Sequence, residues 1–418
     1  MTRSITVTVA VAILVGVTLC GGGCKPATPP ANDQSGGLPS GGAGGSGTGG
    51  SGGGAGGGPA QPGNGLPADL PGGLISFGLF TAEADNTLSH LALATVDQNG
   101  QNLTERLALS RDDVVLHLSP DGTKLAAFRI DPLTYTLSFQ VYDLTSGAVT
   151  QLGLPPYLDI GTYFCWSPDS EFLVYTCLAA QHDYRLVRVP VDGAPGSYVD
   201  TVGVASLGIL PLASVPGRDA VVLTGPSDNA AAGVINLHDF ETDSGRTAAT
   251  TEPGPHLLAV SQDGRYVAHL SSQGHACAQV TDLTTGKSVP TNDVSQTEPS
   301  GMLVDLSWSP VANVLAIVRE DINDTHDPTN RLTVAFYDTA QDKITTRTGC
   351  VGEWAAAGVY GNMTAWSADG KAFFLAADNR WNLDGAATIF LVDPASGDFT
   401  AVFTCADNQS IRGLNVTH

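Results

Sequence analysis

Trp166-Ser167-Pro168-Asp169-Ser170, followed after Glu171 by Phe172-Leu173-Val174-Tyr175, reads as the end of one strand, a tight turn and the start of another. Ser at the first turn position bonds back to the backbone, and Pro presets φ at the second. Asp tolerates the third position, and Gly is the usual residue for a positive φ at the fourth. The apolar run behind the turn suits a strand buried on both faces.

The unit returns along the chain. Its serines sit at 119, 167, 214, 261, 309 and 367, in steps of 48, 47, 47, 48 and 58 residues. The clearest copies are Leu118-Ser119-Pro120-Asp121-Gly122, Val260-Ser261-Gln262-Asp263-Gly264 and Trp366-Ser367-Ala368-Asp369-Gly370. The Asp-Gly part is lost at Ser214-Val215-Pro216-Gly217 and at Ser309-Pro310-Val311-Ala312. A second landmark, a β-rich stretch ending in a turn of the Asp-Leu-Thr-Ser-Gly kind, closes each unit near Asp97, Asp143, Asp192, Asp239, Asp282, Asp338 and Asp393. Seven closing hairpins stand against six opening ones. The strand missing from the first unit is supplied by Ile411-Arg412-Gly413-Leu414-Asn415-Val416, since Asn415 lies 48 residues after Ser367. A four-stranded unit of about 45 residues repeated radially is the signature of a β-propeller. The expectation is an all-β propeller of seven four-stranded blades, with the C-terminal strand completing the first blade and removing an open edge.

The Trp-Ser-Pro-Asp-Gly unit followed by an apolar strand resembles that of TolB-like and related WD-repeat-type propellers, over residues 74–418. The resemblance implies the fold and leaves function open, because such propellers serve as scaffolds, binders and domains of peptidases.

Composition narrows the partners. Nineteen Lys and Arg against 41 Asp and Glu give a net charge of −22, which argues against nucleic acid and against electrostatic binding to anionic lipid. It suits a cation or a basic partner.

Residues 1–24 read as a signal segment. Arg3 precedes an apolar run from Ile5 to Leu19, of h-region length and too short for a comfortable membrane span. The run ends at Cys20-Gly21-Gly22-Gly23-Cys24, which resembles a bacterial lipoprotein signal. Cys24 follows the small residue that the signal requires, whereas Cys20 follows Leu19, so Cys24 is the expected lipid acceptor; an ordinary secretory signal is the alternative. Residues 25–71 are Gly, Ser, Ala and Pro with almost no large apolar residue, and cannot bury enough surface to offset their ordering entropy. As a flexible coil of about 46 residues this tether spans roughly 35–40 Å. Residues 72–418 are the propeller.

Five cysteines lie in the propeller, so at least one is unpaired. Cys165 and Cys177 flank one hairpin, but the turn places Cys165 opposite about residue 173, roughly 13 Å along the strand from Cys177 and beyond bridging range. Cys350 and Cys405 follow the last strands of neighbouring blades and are either a pair or two buried thiols.

No catalytic constellation stands out. Gly49-Gly50-Ser51-Gly52-Gly53 matches the nucleophile-elbow pattern but lies in the tether, with no strand before it and no helix after it. Five Asn-x-Ser/Thr sequons, at Asn102, Asn323, Asn362, Asn408 and Asn415, are chance occurrences in a bacterial envelope protein. Lactonase-like propellers hold a metal in the channel with acidic and amide side chains of the innermost strands. Here those strands offer His117, Asp305 and Asn415 alone, and His117 reads as a wall residue.

Polar residues gather instead in the loops between second and third strands, which in a propeller share a face with the connections between blades. The longest step of the repeat contains Asp321-Ile322-Asn323-Asp324-Thr325-His326-Asp327. Asp321, Asn323, Thr325 and Asp327 fall on alternate positions, where a curled loop can turn oxygens toward a calcium ion, although the Gly and Glu of an EF-hand loop are missing. The plain alternative is a solvated acidic loop. Asp378, Arg380, Trp381 and Asp384, on the next blade, would join Asp321, Asn323, Asp324 and Asp327 in a binding rim with Trp381 as anchor.

The function expected is a non-enzymatic binding or scaffold propeller, a monomer, lipid-anchored in a bacterial cell envelope on its periplasmic or outer side. Protein partners are expected there, with no cofactor beyond a possible Ca2+. The alternatives are a lactonase- or lyase-like propeller enzyme with a metal in the funnel, and a purely structural surface protein.

Overall fold

The computed structural model describes residues 73–82, 88–130, 137–152, 159–180, 183–193, 199–201, 212–226, 233–251, 257–270, 278–291, 302–321, 331–351, 362–377, 387–406 and 408–416. The signal segment 1–24, with Cys24, and the tether 25–71 lie outside the described residues.

Seven antiparallel four-stranded sheets use all 28 strands among the described residues. Blade 1 holds β1 (Ile75–Ala82), β2 (Leu88–Val96) and β3 (Thr104–Ala108). Blade 2 holds β4 (Asp113–Leu118), β5 (Lys124–Ile130), β6 (Leu137–Asp143) and β7 (Val149–Gln151). Blade 3 holds β8 (Asp159–Trp166), β9 (Phe172–Ala180), β10 (Asp183–Pro190) and β11 (Val199–Thr201). Blade 4 holds β12 (Leu212–Ser214), β13 (Ala220–Pro226), β14 (Gly233–Asp239) and β15 (Ser244–Thr251). Blade 5 holds β16 (Leu258–Val260), β17 (Tyr266–Leu270), β18 (Ala278–Asp282) and β19 (Ser288–Pro290). Blade 6 holds β20 (Met302–Trp308), β21 (Val314–Asp321), β22 (Arg331–Asp338) and β23 (Lys343–Val351). Blade 7 holds β24 (Thr364–Trp366), β25 (Phe373–Ala377), β26 (Thr388–Val392) and β27 (Phe399–Thr404). The last strand, β28 (Gln409–Val416), pairs with β1 and becomes the inner strand of blade 1, with Asn415 opposite Ser76. Seven blades and C-terminal closure are as the repeat spacing requires.

The core lies between the blades. Blades 1 and 2 share Phe80, Leu91, Leu125 and Tyr142, and blades 2 and 3 share Phe128, Phe139, Phe164 and Tyr175. Smaller clusters join blades 3 and 4 through Leu186 and Val221, and blades 4 and 5 through Ile235 and Val267. Val280 meets Ile317 and Tyr337 between blades 5 and 6, and one large cluster runs through blades 6, 7 and 1. Every blade is therefore covered on both faces, and this is why its strands carry continuous apolar runs in place of an alternating pattern. A fully buried Phe or Leu is stabilised by about 2–3 kcal/mol relative to exposure.

The opening turns show what Ser and Asp do. In blade 7 the Ser367 hydroxyl donates to Asp369 (2.8 Å) and accepts from the Ala372 N–H (2.9 Å), while Asp369 accepts from the Lys371 N–H (3.1 Å). The same clamp closes on Asp121, Asp169 and Asp263. In the fourth position Gly122, Gly264 and Gly370 take positive φ, and Ser170 takes it without being glycine (φ 62°), its hydroxyl accepting from the Asp121 N–H of the neighbouring blade. The closing-turn aspartates likewise accept from backbone N–H groups two to four residues on, as Asp143 does from Thr145 and Ser146.

Cys165 pairs in register with Val174 and Cys177 with Ile160, so the two do not face each other. Cys405 is a thiol whose Sγ donates toward the carbonyls of Ala387 (3.2 Å) and Gln409 (3.1 Å). The Cys350 side chain lies outside those described.

Candidate functional site

The channel wall is built from β28, β4, β8, β12, β16, β20 and β24. Blades are stapled to one another along it by tryptophan. Trp166 donates its indole N–H to the His117 carbonyl (2.9 Å), Trp308 to Ala259 (3.1 Å) and Trp366 to Ser307 (3.1 Å), in each case across to the preceding blade's inner strand. These bonds explain why Trp precedes the turn serine in blades 3, 6 and 7.

The three channel residues singled out by sequence have different surroundings. His117 sits 4.6 Å from the Phe164 ring; it is only partly covered as a residue, yet the wall still holds its imidazole at about 4. It is therefore neutral at pH 7, as a wall residue should be. Asp305, 9% exposed, lies at an irregularity in the β20–β21 pairing. Its carboxylate accepts from Thr364 Oγ1 (2.7 Å) on blade 7 and from the Leu306 N–H (2.8 Å). Burial pushes this carboxyl up to about 6, against the pull of those hydrogen bonds. Asn415 is half-buried, with its amide nitrogen donating to the Gly413 carbonyl (2.8 Å).

A cavity of about 290 Å³ opens between the inner strands of blades 5, 6, 7 and 1. It exists because the strands present small residues there, Ala259, Ser307 and Ala365, on short strands. Gln262, Asn362 and Asn415 supply carboxamides to its wall, and Trp308 and Trp366 supply aromatic surface. Sequence reasoning reached Asn415 as a channel residue, but read Gln262 only as the second position of an opening turn and Asn362 only as a sequon. Among the described residues, no three His, Cys, Asp or Glu side chains gather in a group able to hold a metal.

The rim expected from sequence springs from adjacent blades. Asp321 ends β21 and pairs in register with Arg331 at the start of β22, while the blade 7 loop leaves β25 at Ala377 and returns at Thr388. Asn323, Asp324, Thr325, Asp327, Asp378, Arg380, Trp381 and Asp384 lie outside the described residues. The described face is the other one, carrying the opening and closing turns.

Outside the channel, Asp113 is fully buried and accepts from Arg129 Nε (2.8 Å), the Tyr142 hydroxyl (2.6 Å) and the Ser110 N–H (3.1 Å). Burial first, then the Asp113 carboxylate, raises the Tyr142 hydroxyl well above its usual range, and the trio ties the blade 1–2 connection to blade 2.

The architecture defines a seven-bladed β-propeller. Neither a protein-family model nor a curated protein matches the chain. Solved structures that do resemble it include a protein of unknown function from Desulfotomaculum acetoxidans, with TM-score 0.51 and 10% identity over 78% of this chain and 99% of that one. TolB from Acinetobacter baumannii is similar with TM-score 0.48 and 14% identity, over 84% of this chain and 67% of that one. A puromycin-hydrolysing peptidase from Mycobacterium tuberculosis is similar with TM-score 0.49 and 14% identity, over 82% and 54%. At such identities the likeness is one of fold and carries no activity across.

Proposed function

We propose that the chain is a non-enzymatic binding and scaffold propeller, held in a bacterial cell envelope by lipid on Cys24 and working as a monomer. The observation that supports a binding role is the state of the channel wall. Asp305 spends its oxygens on Thr364 and the backbone, and the His117 ring is packed against Phe164, so both side chains are engaged by the wall itself. The partner is a protein with a basic surface, which the net charge of −22 favours. It docks on the rim of Asp321, Asn323, Asp324, Asp327, Asp378, Arg380, Trp381 and Asp384, with Trp381 as its anchor. A weak calcium site at Asp321, Asn323, Thr325 and Asp327 is the secondary element of this reading.

Affinity capture from the native envelope with the full chain, beside its Trp381→Ala and Asp324→Ala/Asp327→Ala variants, tests the reading. The expected result is one retained partner that both variants release; equal capture by all three chains removes the rim from consideration. Mass spectrometry of the mature N-terminus tests the anchor. An acylated residue beginning at Cys24 is expected, and an unmodified terminus elsewhere contradicts it.

A further inference from the structure

We propose that the channel cavity is a binding site for a small, uncharged polyhydroxyl ligand of the sugar class. Three observations carry this. First, none of the cavity's lining residues is charged. Asp305, beside the lining residue Leu306, is buried, with its oxygens accepting from Thr364 and from the Leu306 N–H. A charged ligand would lose hydration there and meet no opposite charge in return. Second, the polar side chains among its lining residues are carboxamides and hydroxyls, from Gln262, Asn362, Asn415, Ser307 and Thr364, the last already donating to Asp305. Each can both donate and accept, which is what a hydroxyl-covered ligand requires of its partner. Third, the space of about 290 Å³ corresponds to about ten waters of liquid, enough for a sugar ring and at the lower end of small-molecule sites. Trp308 and Trp366 give the same cavity apolar surface for the C–H side of such a ring.

Gln262 and Asn362 are exposed flanks of the inner strands, and among the described residues Asn362 is tied to the fold through its backbone carbonyl, which accepts from the Leu414 N–H (2.6 Å). Truncating either side chain therefore leaves the wall standing.

Calorimetric titration of the full chain, kept in a detergent without a sugar headgroup, tests the proposal. The probes are glucose, galactose, mannose and N-acetylglucosamine, with glucose 6-phosphate and glucosamine as the anionic and cationic controls. At least one neutral sugar is expected to bind with Kd below about 10 mM, and Gln262→Ala/Asn362→Ala is expected to weaken it about tenfold or more with an unchanged melting temperature. Both charged controls should bind more weakly than the neutral sugars. No binding of any neutral sugar by about 10 mM overturns the proposal, as does binding that the double variant leaves intact. Glucosamine or glucose 6-phosphate binding as tightly as the neutral sugars overturns the claim that charge is excluded.

Discussion

A two-residue clamp holds four of the opening turns. The Ser261 hydroxyl, fully buried, donates to Asp263 (2.6 Å) and accepts from the Tyr266 N–H (2.9 Å). Ser261→Ala removes both bonds and leaves a buried N–H without its partner, and should cost about 1–2 kcal/mol at neutral pH by urea denaturation. The hydrogen bonds from Ser367 and the Lys371 N–H, with the Lys371 ammonium, bring Asp369 down to about 2; burial opposes a like effect at Asp121, Asp169 and Asp263 but does not reverse it. A carboxyl depressed by folding contributes stability that is present above its unfolded range and lost as pH falls through its folded value. The Ser261→Ala penalty should thus shrink as pH drops below 4 toward 2; a penalty that stayed constant would mean that the carboxylates do not take part. Asp305 has the opposite sign. Its folded value of about 6 exceeds 3.8, so the stability tied to its neutral form is complete below 3.8 and disappears as pH rises through 6. Asp305→Asn does not titrate there. Between pH of about 4 and about 7 the stability difference should move in the variant's favour by about 2–3 kcal/mol, and no movement would refute the burial of that charge. The roles of Ser and Asp were legible in sequence because a turn is a local object. The tryptophan staples were not, because their acceptors lie 49 or 59 residues away on another blade.

At the level of strands, β28 carries the greatest burden, for it is inner strand, ring closure and cavity wall together. Gly413 within it has φ of +66°, and a Cβ there would stand 2.9 Å from the Leu116 carbonyl oxygen of blade 2. Gly413→Ala should therefore cost about 1–3 kcal/mol and lower the melting temperature, and an unchanged melt would mean that β28 does not pack against β4 as described. At the other junction of blade 1, a Cβ on Gly100 would overlap the Val402 carbonyl oxygen of blade 7. Closure itself was readable from arithmetic alone, since seven closing hairpins against six opening ones leave one strand unassigned. The cavity was not readable. Gln262 shows in sequence as a turn position and Asn362 as a sequon, and what brings both to one cavity is the arrangement of blades 5, 6, 7 and 1 around the axis.

The whole molecule is a ring of mutually covered sheets. Its apolar clusters straddle blade junctions, so no blade owns a core and none is expected to be stable once its neighbours are removed. That is why the fold shows in the sequence as repeated apolar runs, and why function shows so little: the repeat is spent on covering sheets. The cavity depends on closure by β28, which supplies Leu414, Asn415 and Val416 to its wall. Thermal unfolding of the chain lacking residues 411–418, beside the full chain, measures this directly. Closure predicts that the truncated chain exposes the β1 edge, melts at a much lower temperature and aggregates; a truncated chain that stays monomeric and melts with the full one would contradict it.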